Sequence, residues 1–100
     1  MLSKVSEIKE QLQSFSDWDI SAKKITKVFL FTDFKTGIVF LNKVAKEAEA
    51  MKHHPDINIR YNKIKITLST HSEGGVTTKD IKLAKKIESL SPKVSKVKTK

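Results

Sequence analysis

Hydrophobic positions along the 100-residue chain change their period several times. Between Ser3 and Phe15, the residues Val5, Ile8, Leu12 and Phe15 recur at spacings of three and four, the single stripe of an amphipathic helix. Trp18–Ile20 and Ile25–Phe31 are β-branched and aromatic with Lys23 and Lys24 between them, which predicts two strands joined by a turn. In the second strand Lys27, Phe29 and Phe31 share one face and Val28 and Leu30 the other, so both faces are expected to be at least half covered. From Phe34 to Lys52 the helical period returns: Phe34, Ile38, Leu41, Ala45 and Ala48 step along one face, widened by Phe40, Val44 and Met51. Gly37 inside this pattern costs about 1 kcal/mol relative to Ala, which points to close packing or to a later true start of the helix.

Pro55 ends the pattern, leaving His53 at the last turn and His54 pushed into an extended conformation by the proline that follows it. Two alternating runs come next, Ile57, Ile59, Tyr61 and Ile64, Ile66, Leu68, separated by Asn62-Lys63 and read as a strand pair. Ser72-Glu73-Gly74-Gly75 is a turn, without the spacing of a phosphate-binding loop. A last helix runs from Thr77 to about Leu90, with Ile81, Leu83, Ala84, Ile87 and Leu90 on its buried side and a capping box at Thr77 and Asp80. The order α-β-β-α-β-β-α predicts an α+β fold, a four-stranded and mainly antiparallel sheet with three helices packed on one face. A single domain over residues 1–90 and a flexible basic tail over 91–100 are expected.

Composition narrows the function classes. The chain is 38% hydrophobic and 31% charged, with 20 Lys plus Arg against 11 Asp plus Glu, a formal charge of +9. Four of those cations, Lys93, Lys96, Lys98 and Lys100, lie in the tail, leaving sixteen cations against eleven acids, or +5, for residues 1–88. The excess is therefore partly a solvated terminus, and with no base-stacking motif it predicts no specific nucleic-acid partner. Charged residues interrupt every run that approaches membrane-spanning length. Met1–Glu7 lacks the apolar run and cleavage site of a signal peptide, so a cytoplasmic location is expected. The absence of Cys removes disulfides and thiolate chemistry.

Chemistry is left to three histidines, all near element ends: His53 and His54 after the long helix and His71 after the last strand, with Glu49, Asp56 and Asp80 at hand. Imidazole can transfer protons in both directions near neutral pH, which suits general acid–base work. Three His could also hold zinc, but adjacent His53 and His54 should diverge and no two His stand at i, i+4, so no metal site is expected. Asp80 reads first as a carboxylate at a helix N-terminus. Trp18 and the Phe residues read as core, and Tyr61 as either core or contact.

Glu49, three positions, His53-His54-Pro55, five positions, Tyr61, nine positions, His71, eight positions and Asp80 closely resemble the pattern of the pterin-4a-carbinolamine dehydratases. The flanking Ile66-Thr67-Leu68-Ser69-Thr70 and Asp80-Ile81-Lys82-Leu83-Ala84 extend the similarity to roughly residues 8–90. Two departures are Asp17, where a small residue often precedes the tryptophan, and Gly37, where Ala is common. The resemblance implies a hydro-lyase that eliminates water from 4a-hydroxytetrahydropterin to give quinonoid dihydropterin, with pterin as substrate and no cofactor. It implies His53 and His71 as proton donor and acceptor, His54 as a substrate-orienting residue and Asp80 as a support for a histidine or the nearby loop. Glu49, Pro55, Tyr61, Ser69 and Thr70 would contact substrate, the last two together with His71 through the backbone of a strand edge. Assembly into a homodimer or homotetramer is implied as well. Some relatives act as dimerisation partners of transcription factors, so a non-enzymatic protein-binding role on the same fold is the alternative.

Overall fold

The computed structural model describes residues 1–91 of the chain. Three helices, α1 (Val5–Gln11), α2 (Phe34–Met51) and α3 (Thr78–Leu90), accompany four strands, β1 (Asp19–Ile20), β2 (Ile25–Leu30), β3 (Asp56–Arg60) and β4 (Lys63–Leu68). A single turn of 3₁₀ helix covers His71–Glu73. The strands form one sheet in the order β1-β2-β4-β3 with every neighbouring pair antiparallel. This is the α+β arrangement that the order of elements predicts. Of the tail expected over 91–100, all but Ser91 lies outside the described residues.

The register decides which side of the sheet is covered. Ile25 pairs with Leu68, Lys27 with Ile66 and Phe29 with Ile64, and from these three pairs only Lys27 is not fully buried. They meet Phe40, Val44 and Ala48 of α2 and Ile81, Leu83, Ala84 and Ile87 of α3 in one apolar core. The opposite face, expected to be half covered, is open: Val28 and Leu30 are 47% and 48% exposed. Alternating strands with all helices on one side leave the other side to water, where Lys63 and Lys65 stand opposite Leu30 and Val28.

Other departures have local causes. α1 closes at Gln11 rather than Phe15, yet Leu12 and Phe15 still pack on the core through turns, Leu12 N–H donating to the Ile8 carbonyl and Phe15 N–H to that of Leu12. Apolar spacing thus continues past the helical hydrogen bonds. α2 starts at Phe34, capped by Asp33, which accepts the Thr36 N–H at 2.8 Å, so Gly37 lies inside the helix. A Cβ there would stand 3.2 Å from Ile64 Cδ1 and 3.5 Å from Phe31 Cδ1, so close packing of helix on sheet explains the glycine. Asp17 has a positive φ, 70°, a backbone conformation that Asp tolerates better than most residues with a Cβ. Trp18 packs edge-on to Phe29 and its Nε1–H donates to Glu88 at 2.8 Å.

Candidate functional site

Three chain segments meet at the end of the sheet where β4 finishes. The first leaves α2. Lys52 takes the left-handed conformation, φ 54°, so that the His53 N–H reaches back to the Ala48 carbonyl at 3.1 Å and that of Lys52 to Glu49 at 3.1 Å. This pair of bonds is a Schellman closure, which turns the chain sharply and directs His53 inward. His53 is 9% exposed and its Nε2 stands 2.5 Å from Asp80 Oδ1. His54, one residue on, is exposed, and its Nε2 meets Glu49 Oε2 at 2.7 Å. The two adjacent imidazoles therefore engage different carboxylates, diverging as the extended bond before Pro55 requires.

The second segment is the start of α3. Thr77 is its cap, and Asp80, fully buried, completes the capping box by accepting the Thr77 N–H on Oδ2 at 2.8 Å. The third is the end of β4, where the buried Thr70 donates its hydroxyl to the same Oδ2 at 2.8 Å and lies 2.8 Å from the Thr77 hydroxyl. Asp80 thus collects hydrogen bonds from three separate segments: a strand end, its own helix cap and the histidine after α2. No buried side-chain polar atom lacks a partner among the described residues.

The remaining sequence candidates fall at varying distances from this cluster. His71 follows Thr70 directly, in the 3₁₀ turn, and is exposed. The Thr70 backbone does not form the open strand edge expected of it: its N–H donates to Gly75, and its carbonyl accepts from Glu73, Gly74 and Gly75, because the chain folds back on itself in the turn that follows. The Ser69 hydroxyl donates to the Lys23 carbonyl at 2.7 Å and ties this corner to the β1–β2 turn. Pro55 is half-buried at the entry to β3. Tyr61 is not brought to the cluster. It forms the β3–β4 turn, 67% exposed, at the far end of a strand whose six residues span roughly 20 Å. Asp56 opens β3 opposite Thr67 and is exposed.

Sequence reading missed the hydroxyls of Thr70 and Thr77 as parts of the site. Thr77 was legible as a cap, but nothing in the spacing tells that Thr70 reaches Asp80. Among the described residues, no three His, Asp or Glu side chains converge as a metal-binding group. No helix among them is long and apolar enough to cross a membrane. Chemically, the cluster offers one nearly buried imidazole in fixed orientation, and two exposed histidines, His54 and His71, adjoin its members His53 and Thr70 in the chain.

The family model described as pterin 4 alpha carbinolamine dehydratase matches residues 2–90. A protein of Sulfurisphaera tokodaii that carries this enzyme name as a provisional assignment is 49% identical over 84 residues, covering 84% of this chain and 90% of its own length. One from Aquifex aeolicus, named in the same provisional way, is 40% identical over 98 residues and covers 96% and 99%. Among solved structures, a transcriptional coactivator/pterin dehydratase from Brucella melitensis superposes with a TM-score of 0.85 at 37% identity, covering 92% of this chain and all of that one. A pterin dehydratase-like protein identified as a RuBisCO assembly factor of the alpha-carboxysome gives 0.66 at 22% identity over 77% of this chain and 92% of that one, a likeness of fold alone.

Proposed function

The chain belongs to the pterin-4a-carbinolamine dehydratase family, and from that premise we propose that it eliminates water from a 4a-hydroxytetrahydropterin to give the quinonoid dihydropterin. In this elimination the C4a–O bond breaks, the departing hydroxyl takes a proton to leave as water, N5 gives up its proton, and the electrons of that N–H bond form the C4a–N5 double bond. No electrons are gained or lost. An acid and a base held on either side of the C4a–N5 bond suffice, each typically contributing about 10²- to 10⁴-fold.

The observation that carries this reading is the Asp80–His53 pair. An imidazole 9% exposed, held at 2.5 Å by a carboxylate that is itself anchored by two further donors, has the fixed orientation that proton transfer demands. His53 and His71 are the proposed proton-transfer pair. His54, exposed and steadied by Glu49, is proposed to orient the substrate with Pro55 beside it. Pterin enters as substrate, and the proposal requires no cofactor. A stopped-flow ultraviolet assay of 4a-hydroxytetrahydropterin dehydration tests it: the wild type is expected to exceed the uncatalysed rate, and His53→Ala and His71→Ala to lose most of the gain. A wild-type rate equal to background overturns the proposal.

Self-association is proposed alongside. All five residues of the edge strand β3 are exposed, including Ile57 at 39% and Ile59 at 38%, and an unpaired edge with apolar side chains supports pairing between copies. Light scattering behind size exclusion should report a dimer or tetramer, and a monomer at micromolar concentration would refute it.

A further inference from the structure

The direction of each hydrogen bond around Asp80 can be worked out. A threonine hydroxyl has one hydrogen to give. That of Thr70 goes to Asp80 Oδ2, so the hydrogen shared with Thr77, at 2.8 Å, comes from Thr77. The Thr77 oxygen in turn accepts the Lys79 N–H at 3.2 Å. Oδ2 already accepts from the Thr70 hydroxyl and the Thr77 N–H, both at 2.8 Å, which leaves Oδ1 to face His53. An ionised carboxylate can only accept, so the imidazole that faces Oδ1 donates, through Nε2–H. A neutral imidazole carries a single ring hydrogen, and Nδ1 then holds a lone pair. Among the described residues Nδ1 has no hydrogen-bond partner, and it is not a sealed, unsatisfied atom.

We infer that Thr70 and Thr77 are positioning residues: Thr77 donates to Thr70, Thr70 donates to Asp80 and Asp80 accepts from His53, an arrangement that fixes the Nε2–H tautomer and makes Nδ1 the atom that His53 offers to the pterin. The inference deepens the proposed dehydration. In that reaction Nδ1 takes up the N5 proton while Nε2–H stays on Asp80, and the proton is later released to water. Without the hydroxyls, Asp80 loses the donors that hold its Oδ2, and the carboxylate can rotate away from Nε2. Each threonine is about 5% exposed, with its hydroxyl engaged within the cluster, and acts through Asp80.

The experiment is nitrogen NMR on histidine-labelled protein near about pH 9, where an ordinary imidazole is neutral, combined with dehydration kinetics. In the wild type His53 should show a protonated Nε2 and an unprotonated Nδ1. Thr70→Val should give a mixture of tautomers and lower kcat by roughly ten- to hundredfold, the size of loss known for removing the hydrogen-bond partner behind a metal-bound histidine. KM should change less than kcat. Thr70→Ser, which restores the donor, should recover both the tautomer and the rate, and Thr77→Val should shift the tautomer in the same direction as Thr70→Val. His54, exposed and paired with Glu49, serves as the internal control whose signal stays put.

A wild-type His53 protonated at Nδ1 overturns the inference without any variant, even if the variants fail to fold. An unchanged tautomer and rate in Thr70→Val overturns it as well. The NMR assignment does not depend on turnover. Nε2–H in an inactive wild type would therefore refute the dehydratase reading while leaving the tautomer device intact.

Discussion

Replacing Asp80 by Asn keeps the shape of the side chain and reverses one hydrogen bond. Oδ2 accepts from the Thr77 N–H and the Thr70 hydroxyl, so an amide at this position must place its oxygen there. The opposite flip would set an NH₂ against a buried backbone N–H, at a cost of about 1–3 kcal/mol. The NH₂ group therefore occupies the Oδ1 position, 2.5 Å from His53 Nε2 in the wild type. It can only donate, and His53 must move its hydrogen to Nδ1. The atom facing substrate then changes from acceptor to donor.

The two expected effects differ in size. Both Oδ2 bonds change from charge-assisted to neutral, a loss of about 1 kcal/mol each. The favourable carboxylate at the start of α3 contributes about 0.3–1 kcal/mol more. A total of about 2–3 kcal/mol is smaller than the stability of an ordinary domain, about 5–15 kcal/mol, so D80N should fold at 25 °C. Its dehydration rate should fall about as far as that of His53→Ala, within the roughly 10²- to 10⁴-fold range of one general acid or base. The double variant D80N/H53A should be no slower than H53A alone, because both changes remove the same proton-transfer step. Urea unfolding and stopped-flow dehydration of the three variants measure this. Two results would refute the reasoning: a folded D80N within about twofold of wild type, or a double variant whose loss is the product of the two single losses.

Two further substitutions test the scaffold. A Cβ on Gly75 would lie 2.6 Å from the backbone oxygen of Ala22, which also accepts the Val76 N–H and cannot move aside as a flexible side chain would. Gly75→Ala should lose about 1–3 kcal/mol in urea unfolding, the usual cost of overpacking, and a loss under about 0.5 kcal/mol would contradict the close approach. Asp33 caps α2, and its bonds to Thr36 hold its carboxyl below the usual range. A lowered folded-state value gives stability that is present above the unfolded-state value and is lost as pH falls through the folded one. Asp33→Ala should therefore unfold at lower urea than wild type at pH 7, with the two midpoints converging in the acid range below about pH 3.9. A gap that persisted there would show the effect to be independent of the carboxylate.

The order of elements and the buried faces of α1 and α3 could be read from the sequence because period is a local property, but the face of α2 is displaced: of the stripe Phe34, Ile38, Leu41, Ala45 and Ala48, Phe34 and Ala45 are exposed. Ile8, Leu12, Leu83 and Ile87 are buried where a stripe of period near 3.6 places them, whereas α2 turns Gly37, Phe40, Val44 and Ala48 inward, the side read mainly as the margin of its stripe, because that side is the one laid on the sheet. Coverage of a sheet is not local. Val28 and Leu30 look like the outer half of a two-sided core strand, and only the topology, with all helices on the side of Phe29, leaves them exposed. Tyr61 shows the same limit, since its spacing matches the motif while its place in the β3–β4 turn sets it a strand's length from the histidines. His53 and Asp80 were both legible as candidates, 27 positions apart, but their contact depends on how α2 ends. The left-handed Lys52 that makes the bend carries no sequence signal, because glycine is the usual residue in that conformation.

Asp80 reads from sequence as either a helix cap or a site residue, and the two readings turn out to describe different oxygens of one carboxylate. A capping box needs a single acceptor for the N-cap N–H, and Oδ2 supplies it. The other oxygen of such a group usually faces water. Here the end of β4 and the exit of α2 close over it, so that an atom surplus to helix formation becomes the partner of His53. Capping boxes commonly carry Glu or Gln at this position, and Asp is one methylene shorter. The shorter side chain has one fewer rotatable bond to freeze, so anchoring Oδ2 on the helix largely fixes Oδ1 as well. Orientation of the histidine is in this way built on a helix terminus that must form for the domain to fold, rather than on a loop that could adopt other conformations. Aspartate at a capping-box position, preceded by threonine three residues earlier and by a histidine at the close of another helix, is the combination that turns an ordinary cap into a candidate site.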